Sequence, residues 1–192
     1  MDLWPLCYAV SPMPTPVAHA LAGIAVYLAS RQDHARWPRQ EDWVLFGSTV
    51  FAACAADLDF GIRFLAGHNY HHYFTHSLGF ATIFCLAAYF FARWAKRPLP
   101  KRDAWMLGVA YLTHIVLDMF SKDTVAPFGV ELLWPVSDAF TISPVLFFDD
   151  IWRGTLTELF GLHNWLAVAR EVAIVGPVVG LLWWRRRKQV AH

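Results

Sequence analysis

Five long apolar stretches alternate with short polar segments along the chain, and this pattern predicts membrane-spanning helices. The expected ranges are Thr15 to Ser30, Trp43 to Asp57, Thr75 to Trp94, Ala104 to Phe120 and Trp165 to Trp184. Several are shorter than the roughly 20 residues that a span needs, so their ends are expected in the interfacial zone, or the bundle is thin. Aromatic residues cluster at the ends of the stretches, as in an interfacial belt. The sequence therefore predicts an all-α, polytopic membrane helix bundle with about five transmembrane helices.

The order of the stretches suggests one integral membrane domain over residues 1–192. Residues 1–14 form an N-terminal segment, residues 15–121 a four-helix core, residues 122–164 a surface loop or lid, and residues 165–192 a fifth helix with a basic tail. Thr15 suits an N-cap and Pro16 the first helical position, and Asp103 is a plausible N-cap of the fourth helix. The loop could anchor the protein in the interface or form a lid or acyl-chain groove. Because Arg170 and Glu171 interrupt the fifth stretch, a helix lying on the bilayer surface is an alternative there.

Composition agrees with this picture. The chain of 192 residues is 57% hydrophobic and only 16% charged, whereas soluble domains have about 25% charged residues. The formal net charge of +1 gives no global basic footprint for nucleic acid. The lipid bilayer is therefore the expected partner, and nucleic acid is not expected to bind.

The basic residues alternate between the two ends of the predicted helices. If five helices span in alternation, the same side carries 12 of the 16 lysines and arginines: Arg31, Arg36, Arg39, Arg93, Lys96, Arg97, Lys101, Arg102 and the four basic residues at 185–188. The positive-inside rule then places the C-terminus in the cytoplasm and the N-terminus outside. If the fifth helix instead lies on the bilayer surface, the placement of the first four helices does not change.

Residues with metal-binding side chains lie at one common end of these helices. His19 lies near the start of the first stretch, Asp57 and Asp59 close the second, His71, His72 and His76 open the third, and His114 and Asp118 close the fourth. Antiparallel helices would bring all four groups to one face of the bilayer. Because ionisable groups are costly in membrane helices, they usually mark a working site.

Each group also has a simpler interpretation on its own. His114 and Asp118 share a helical face and could hold a cation or form an internal hydrogen bond. Asp57 and Asp59 could be a solvated helix end, the histidine cluster could sense pH at the interface, and His19 could be a core residue. Thr75 or Ser77 could cap the third helix or bond a substrate oxygen.

Taken together, the groups suit a hydrolytic metal centre. The predicted ligands are His19, Asp57, Asp59, His71, His76, His114 and Asp118. This set exceeds the three protein ligands of a single catalytic zinc ion and suits two divalent metals. Imidazole and carboxylate without thiolate fit zinc, manganese or iron. Such a centre activates water for attack on an ester or phosphoester. Asp57, Asp59 and Asp118 are the candidate catalytic residues, and His72, Thr75 and Ser77 are expected to position the substrate.

The sequence resembles a known family. The segments TPVAHALAG, DLD, HHYFTHSL, LGVAYLTHIVLDMF and GVELLWP are similar, in this order, to the YdjM-type family of bacterial membrane-bound, metal-dependent hydrolases. The resemblance covers roughly residues 15 to 135. It aligns the family's two motif histidines with His71 and His76, while the family's usual arginine falls on His72. The resemblance implies a hydrolase of the bacterial cytoplasmic (inner) membrane, and the placement at headgroup depth suggests a lipid-like substrate at the outer surface.

Two other classes of protein compete with the hydrolase. A metal transporter or sensor would place its ligands near the middle of the membrane and add a polar path to the cytoplasmic side. A structural or partner-binding membrane protein would hold no stoichiometric metal. The crowding of the ligands at one end favours the hydrolase over the transporter.

Overall fold

The computed structural model describes residues 14–30, 40–61, 71–96, 100–124 and 126–190. Its five long helices are α1 (Pro16–Ser30), α2 (Gln40–Cys54), α3 (Leu78–Trp94), α4 (Lys101–Met119) and α5 (Leu162–Val190). Short 3-10 helices, Ala55–Leu58 and Phe74–His76, follow α2 and precede α3, and Leu156–Leu159 forms one helical turn before α5. The described residues contain isolated β-bridges but no β-strand. The prediction of an all-α fold is therefore confirmed for this part of the chain.

The start of α1 agrees with its sequence. The helix begins at Pro16, whose fixed φ suits the first position and whose missing N–H costs nothing there. The Val17 amide donates to the Thr15 hydroxyl at 3.2 Å, so Thr15 caps the helix as predicted.

Two other helix starts differ from the predictions. Helix α3 begins at Leu78 instead of Thr75, because the Ser77 hydroxyl accepts from the Phe80 amide at 3.0 Å and caps the helix there. Helix α4 begins at Lys101, and Asp103 lies in its first turn, so the prediction of Asp103 as N-cap is wrong. Pro100 precedes the helix with an extended backbone, which already sets the turn.

Small residues let α1, α2 and α4 approach closely. A Cβ atom on Gly23 of α1 would lie 2.9 Å from the Val50 Cα of α2. Ala18, Ala52, Ala53 and Ala110, contributed by these same three helices, are completely buried. Close backbone approach through small side chains is the usual way in which membrane helices pack. The polar residues that follow these alanines are thereby brought near one another.

Helix α5 packs along α1. Glu171 of α5 is buried, and its carboxylate accepts from the Thr15 amide at 2.7 Å and from the Thr15 hydroxyl. Further along, Val179 and Leu182 pack against the cluster that contains Tyr27 of α1. Glu171, one of the two polar residues in the fifth stretch, therefore faces the bundle.

The outer surface of the helices is apolar. Phe51, Phe90 and Trp165, on α2, α3 and α5, are 56%, 62% and 62% exposed. Exposed apolar side chains of this size on several helices suit contact with lipid. The segments Asp42–Gly61 and Leu156–Lys188 are long and apolar enough to cross a membrane, whereas Pro16–Ser30 and Leu78–Trp94 are apolar but shorter.

The segment between α4 and the helical turn at Leu156–Leu159 (described residues 120–124 and 126–155), which we call the covering segment, packs over the end of the bundle where the predicted ligands lie. The Glu131 amide donates to the His72 carbonyl, and the Leu78 amide donates to the Leu132 carbonyl, each at 3.0 Å. Val130 between these contacts is completely buried. The segment therefore fixes the backbone on both sides of the 3-10 helix that carries His76.

Candidate metal centre

Four separate elements contribute side chains to one buried cluster, which we call the central cluster. Its members are His19 of α1, Asp57 after α2, His76 before α3, and His114 and Asp118 of α4. All three imidazoles and Asp118 have fully buried side chains, and the Asp57 side chain is 17% exposed. The antiparallel arrangement expected from the sequence thus brings these five predicted ligands together.

The donor atoms of the central cluster lie at contact distances. The His114 Nε2 atom is 3.1 Å from Asp118 Oδ2, 3.2 Å from His76 Nε2 and 3.4 Å from Asp57 Oδ1. The His19 Nε2 atom is 3.5 Å from Asp118 Oδ1. Because zinc binds imidazole nitrogen at about 2.0–2.1 Å, neighbouring ligands at tetrahedral corners are about 3.3 Å apart. The spacing therefore matches that of ligands around one ion.

A backbone contact orients the His114 imidazole. Its Nδ1–H donates to the Ala53 carbonyl at 2.8 Å, so the Nε2 atom faces the cluster. The His19 ring stacks on the His114 ring with centroids 3.8 Å apart. A hydrogen bond from the distal ring nitrogen is the usual way in which proteins fix a metal-binding histidine.

Asp59 lies beside the central cluster and orients two other histidines. Its Oδ1 atom is 2.8 Å from His71 Nδ1, and its Oδ2 atom is 3.3 Å from His76 Nδ1. The Thr75 hydroxyl donates to Oδ2 at 2.7 Å. Both carboxylate oxygens are therefore engaged, and the Nε2 atoms of both histidines point away from Asp59. This is the geometry of a carboxylate that supports metal ligands.

His71, His72 and His76 form a second buried group with donor atoms close enough for one ion. The His71 and His72 rings lie 4.1 Å apart. Burial and, after it, the neighbouring His72 imidazole lower the pKa of His71 to about 4, so His71 is neutral near pH 7 and able to bind metal. The His72 backbone has φ = 69°, an uncommon conformation for a non-glycine residue that is often found at functional sites.

The other two predicted substrate-binding residues have internal partners. Thr75 bonds Asp59, as described above, and its carbonyl accepts from the Tyr111 hydroxyl at 2.7 Å. The Ser77 hydroxyl donates to the Phe74 carbonyl at 2.6 Å and caps α3. Of the two roles left open for Ser77, the capping role is therefore the one present in the structure.

The residues fit a bound cation. Among the described residues, both ring nitrogens of His19, both oxygens of Asp118 and Asp57 Oδ1 are buried without a hydrogen-bond partner. Leaving such groups unpaired costs free energy. A proton on one imidazole would satisfy one or two of these atoms, whereas a metal ion would engage all the atoms that face the same point. The donor set of nitrogen and oxygen atoms suits zinc, manganese or iron.

Some residues near the site were not predicted from the sequence. The His72 Nδ1 atom lies 3.5 Å from Asp123 Oδ2, and the same carboxylate atom accepts from the Gly129 amide at 2.9 Å. Tyr111 lies three residues before His114 and is buried against the 3-10 helix. Helical spacing from His114 could have indicated Tyr111, but nothing in the local sequence indicates that Asp123 approaches His72.

The fold and the site define a helical membrane protein with a buried His/Asp cluster at one end of its bundle. Residues 13–189 match the YdjM inner membrane protein family, and the chain belongs to this family. The inner membrane protein YbcI of Escherichia coli (strain K12) is 29% identical over 192 residues, an alignment that covers 91% of this chain and all of that protein. No solved structure matches the chain. The family resemblance and the inner-membrane assignment are thereby confirmed.

Proposed function

We propose that this protein is a membrane-bound, metal-dependent hydrolase that cleaves an ester or phosphoester bond of a lipid-like substrate. The observation that carries the proposal is the convergence of buried His and Asp side chains from α1, α4 and the segments after α2 and before α3. Within this cluster, atoms of His19, Asp57 and Asp118 have no hydrogen-bond partner. Structural packing does not require such a group, because alanine at these positions would avoid the cost of burial. A bound metal ion would give a partner to those of these atoms that face it.

The residues divide into two neighbouring ligand groups. His19, Asp57, His76, His114 and Asp118 would hold one ion, and His71 and His72 beside His76 would hold a second. Zinc suits these ligands best, with manganese or iron as the alternatives. A bound divalent ion supplies the Lewis acidity and the lowered pKa of water that ester hydrolysis needs.

Among the three acidic residues, Asp57 is the best candidate for the general base. Its side chain is 17% exposed, whereas those of Asp59 and Asp118 are fully buried. A base must reach the proton that it removes, and only a carboxylate at the open side of the cluster meets this condition. Asp118 then serves as ligand, and Asp59 holds His71 and His76 in place.

The membrane arrangement that we propose has five crossing helices and the metal centre at the outer surface. Basic residues at the end of α3, the start of α4 and the end of α5 lie at the end of the bundle opposite the His/Asp cluster. The positive-inside rule places this basic end in the cytoplasm. The metal centre would then lie at the depth of the outer headgroups, where the ester bonds of lipids are found.

The proposal is tested with detergent-purified protein by elemental analysis and by hydrolysis of bis(p-nitrophenyl) phosphate and a p-nitrophenyl ester. Wild type is expected to bind one or two divalent ions and to lose hydrolysis with a chelator. His114→Ala should lose metal and hydrolysis while remaining helical by circular dichroism. Asp138→Ala is the control, because Asp138 is exposed on the surface outside the cluster and its replacement should keep both properties.

The competing classes give different results. Bound metal without hydrolysis of any ester probe would favour a transporter or sensor, and transport into vesicles would then be measured. Wild type that holds no metal after purification without chelator, and takes up none on reconstitution, would contradict the proposal and favour a structural role.

A further inference from the structure

Arg153 lies close to the second histidine group. Its guanidinium is 5.9 Å from the centroid of the Phe60 ring. The Phe60 ring in turn stacks on the His71 imidazole, with centroids 4.1 Å apart and an angle of 21° between the planes. One aromatic ring therefore separates a cationic side chain from the predicted ligands. Stacking of this kind holds an arginine in position while leaving its N–H groups available.

The Arg153 guanidinium has no hydrogen-bond or ion-pair partner among the residues that the structure describes, although its side chain is half-buried. Burial lowers the pKa of Arg153, and the nearby carboxylates of Asp57 and Glu171 oppose this shift, so the side chain stays cationic. Arg170 differs, because its guanidinium donates to Asp149 at 2.7 Å on the surface. The five N–H groups of Arg153 therefore make no hydrogen bond to any residue that the structure describes. They lie near Asp57, whose carboxylate is partly exposed.

The backbone that carries Arg153 is held in place. The Asn164 side chain accepts from the Trp152 amide at 2.9 Å and donates to the Trp152 carbonyl at 2.7 Å. On the N-terminal side, Ile151 is buried, and Asp150 bonds Lys122 at 3.0 Å. Arg153 therefore projects from a fixed point of the segment that covers the site end of the bundle.

We infer that Arg153 binds the negative charge of the substrate, and that the substrate of the proposed hydrolase is a phosphoester and not a neutral ester. The inference rests on the proposed function and narrows its substrate class. Arginine matches the oxygens of a phosphate with two parallel hydrogen bonds, and it remains charged at any physiological pH. Near the carboxylates of the cluster, a cationic side chain also reduces the repulsion that an anionic substrate would otherwise meet.

A structural role gives a different expectation. If Arg153 only balances the charges of Asp57 and Glu171, its removal should lower the thermal stability of the protein. The affinity for an anion should then remain unchanged. Anion affinity, metal content and unfolding temperature must therefore be measured on the same variants.

The test is binding of inorganic phosphate to metal-loaded protein in detergent, measured by isothermal titration calorimetry. Arg153→Gln is expected to weaken phosphate binding about tenfold to a hundredfold, the range for loss of hydrogen bonds to a charged group, with unchanged metal content. Arg153→Lys keeps the charge without the planar fork and should give an intermediate affinity. Arg170→Gln is the matched control and should bind phosphate like wild type.

The outcomes separate the inference from the proposed function. Phosphate binding by wild type that Arg153→Gln leaves unchanged, with metal retained, overturns the inference and leaves the hydrolase proposal standing. The same holds if metal-loaded wild type does not bind phosphate. A wild type that binds no metal contradicts both proposals. Weaker phosphate binding by Arg153→Gln with unchanged metal content supports the inference. The inference then predicts that Arg153→Gln loses more activity on phosphodiesters than on neutral esters.

Discussion

At the scale of single residues, the two aspartates of the DLD segment differ in their surroundings although one residue separates them. Asp57 lies 3.4 Å from His114 Nε2, and its side chain is partly open. Asp59 is fully buried and holds His71 and His76 by their Nδ1 atoms. A backbone in 3-10 conformation turns the two side chains toward different parts of the site. These surroundings support our proposal that Asp57 acts as ligand or base and Asp59 as a positioning residue.

Asp59→Asn should weaken metal binding without removing it. An amide bonds imidazole less strongly than a carboxylate does, and loss of such supporting contacts typically costs about tenfold to a hundredfold in metal affinity. Asp118→Asn, which changes a predicted ligand of the central cluster, should lower the affinity further. The measurement is competition for zinc with a chelating dye, with Asp138→Asn on the exposed surface as control. An Asp59→Asn variant as deficient as Asp118→Asn would show that Asp59 is itself a ligand.

The place of a residue in the site could be predicted from the sequence when helical periodicity sets it. It could not be predicted when it depends on a local turn or on contacts between distant parts of the chain. His19, His114 and Asp118 follow from the sequence, because helical periodicity and antiparallel packing place them at one end. The different surroundings of Asp57 and Asp59 depend on a local 3-10 turn that the sequence pattern does not reveal. Arg153 depends on a long irregular segment folding back to Phe60, and no local signal encodes that contact.

At the scale of elements, the start of α3 is fixed by the segment that follows α4. A Cβ atom on Gly79 would overlap the Trp134 carbonyl oxygen, so this glycine allows the backbone of the segment to approach the helix. The Leu78 amide already donates to the Leu132 carbonyl. The three residues that precede this contact in the chain include His76. Helix α3, the covering segment and the His/Asp cluster are thereby coupled through a few backbone contacts.

Gly79→Ala should destabilise the protein by about 1–3 kcal/mol, because the added methyl group meets backbone atoms that cannot rotate away. Gly47→Ala is the matched control in α2, where a Cβ atom meets nothing within 4 Å. That substitution should be neutral or stabilise by up to about 1 kcal/mol through helix propensity. The measurement is unfolding in detergent, followed by circular dichroism. Equal stabilities of the two variants would mean that α3 and the covering segment do not pack as described.

The sequence was sufficient to predict that each long helix exists, but it was less reliable for the residues at which the helices begin. Apolar composition was sufficient to locate all five long helices. Their starts depend on single contacts, such as the Ser77 hydroxyl that begins α3 at Leu78 and the backbone of Pro100 that begins α4 before Asp103. Glu171 was ambiguous in the sequence because its partner, Thr15, is far away in the chain. The orientation of Glu171 is set by this contact with a residue distant in the chain and not by the local sequence pattern.

At the scale of the whole molecule, the two ends of the bundle differ in charge, and this difference bears on which side of the membrane the His/Asp cluster faces. The His/Asp cluster lies at one end, and the basic residues of α3, α4 and α5 lie at the other. Among the described helical segments, Asp42–Gly61 and Leu156–Lys188 have the length and apolar character of a span. Whether α5 crosses decides if the covering segment and the basic tail lie on opposite sides of the membrane.

The proposed topology predicts that residue 138 is outside and residue 188 is in the cytoplasm. Both Asp138 and Lys188 are exposed, so Asp138→Cys and Lys188→Cys can be introduced where Cys7, Cys54 and Cys85 have been replaced by serine. A membrane-impermeant maleimide should label Asp138→Cys in intact spheroplasts and Lys188→Cys only after lysis. Because only α5 and its preceding turn separate the covering segment from the tail, labelling of both positions in intact cells would show that α5 does not cross. The inverse pattern would place the metal centre in the cytoplasm, and the substrate would then come from the inner leaflet.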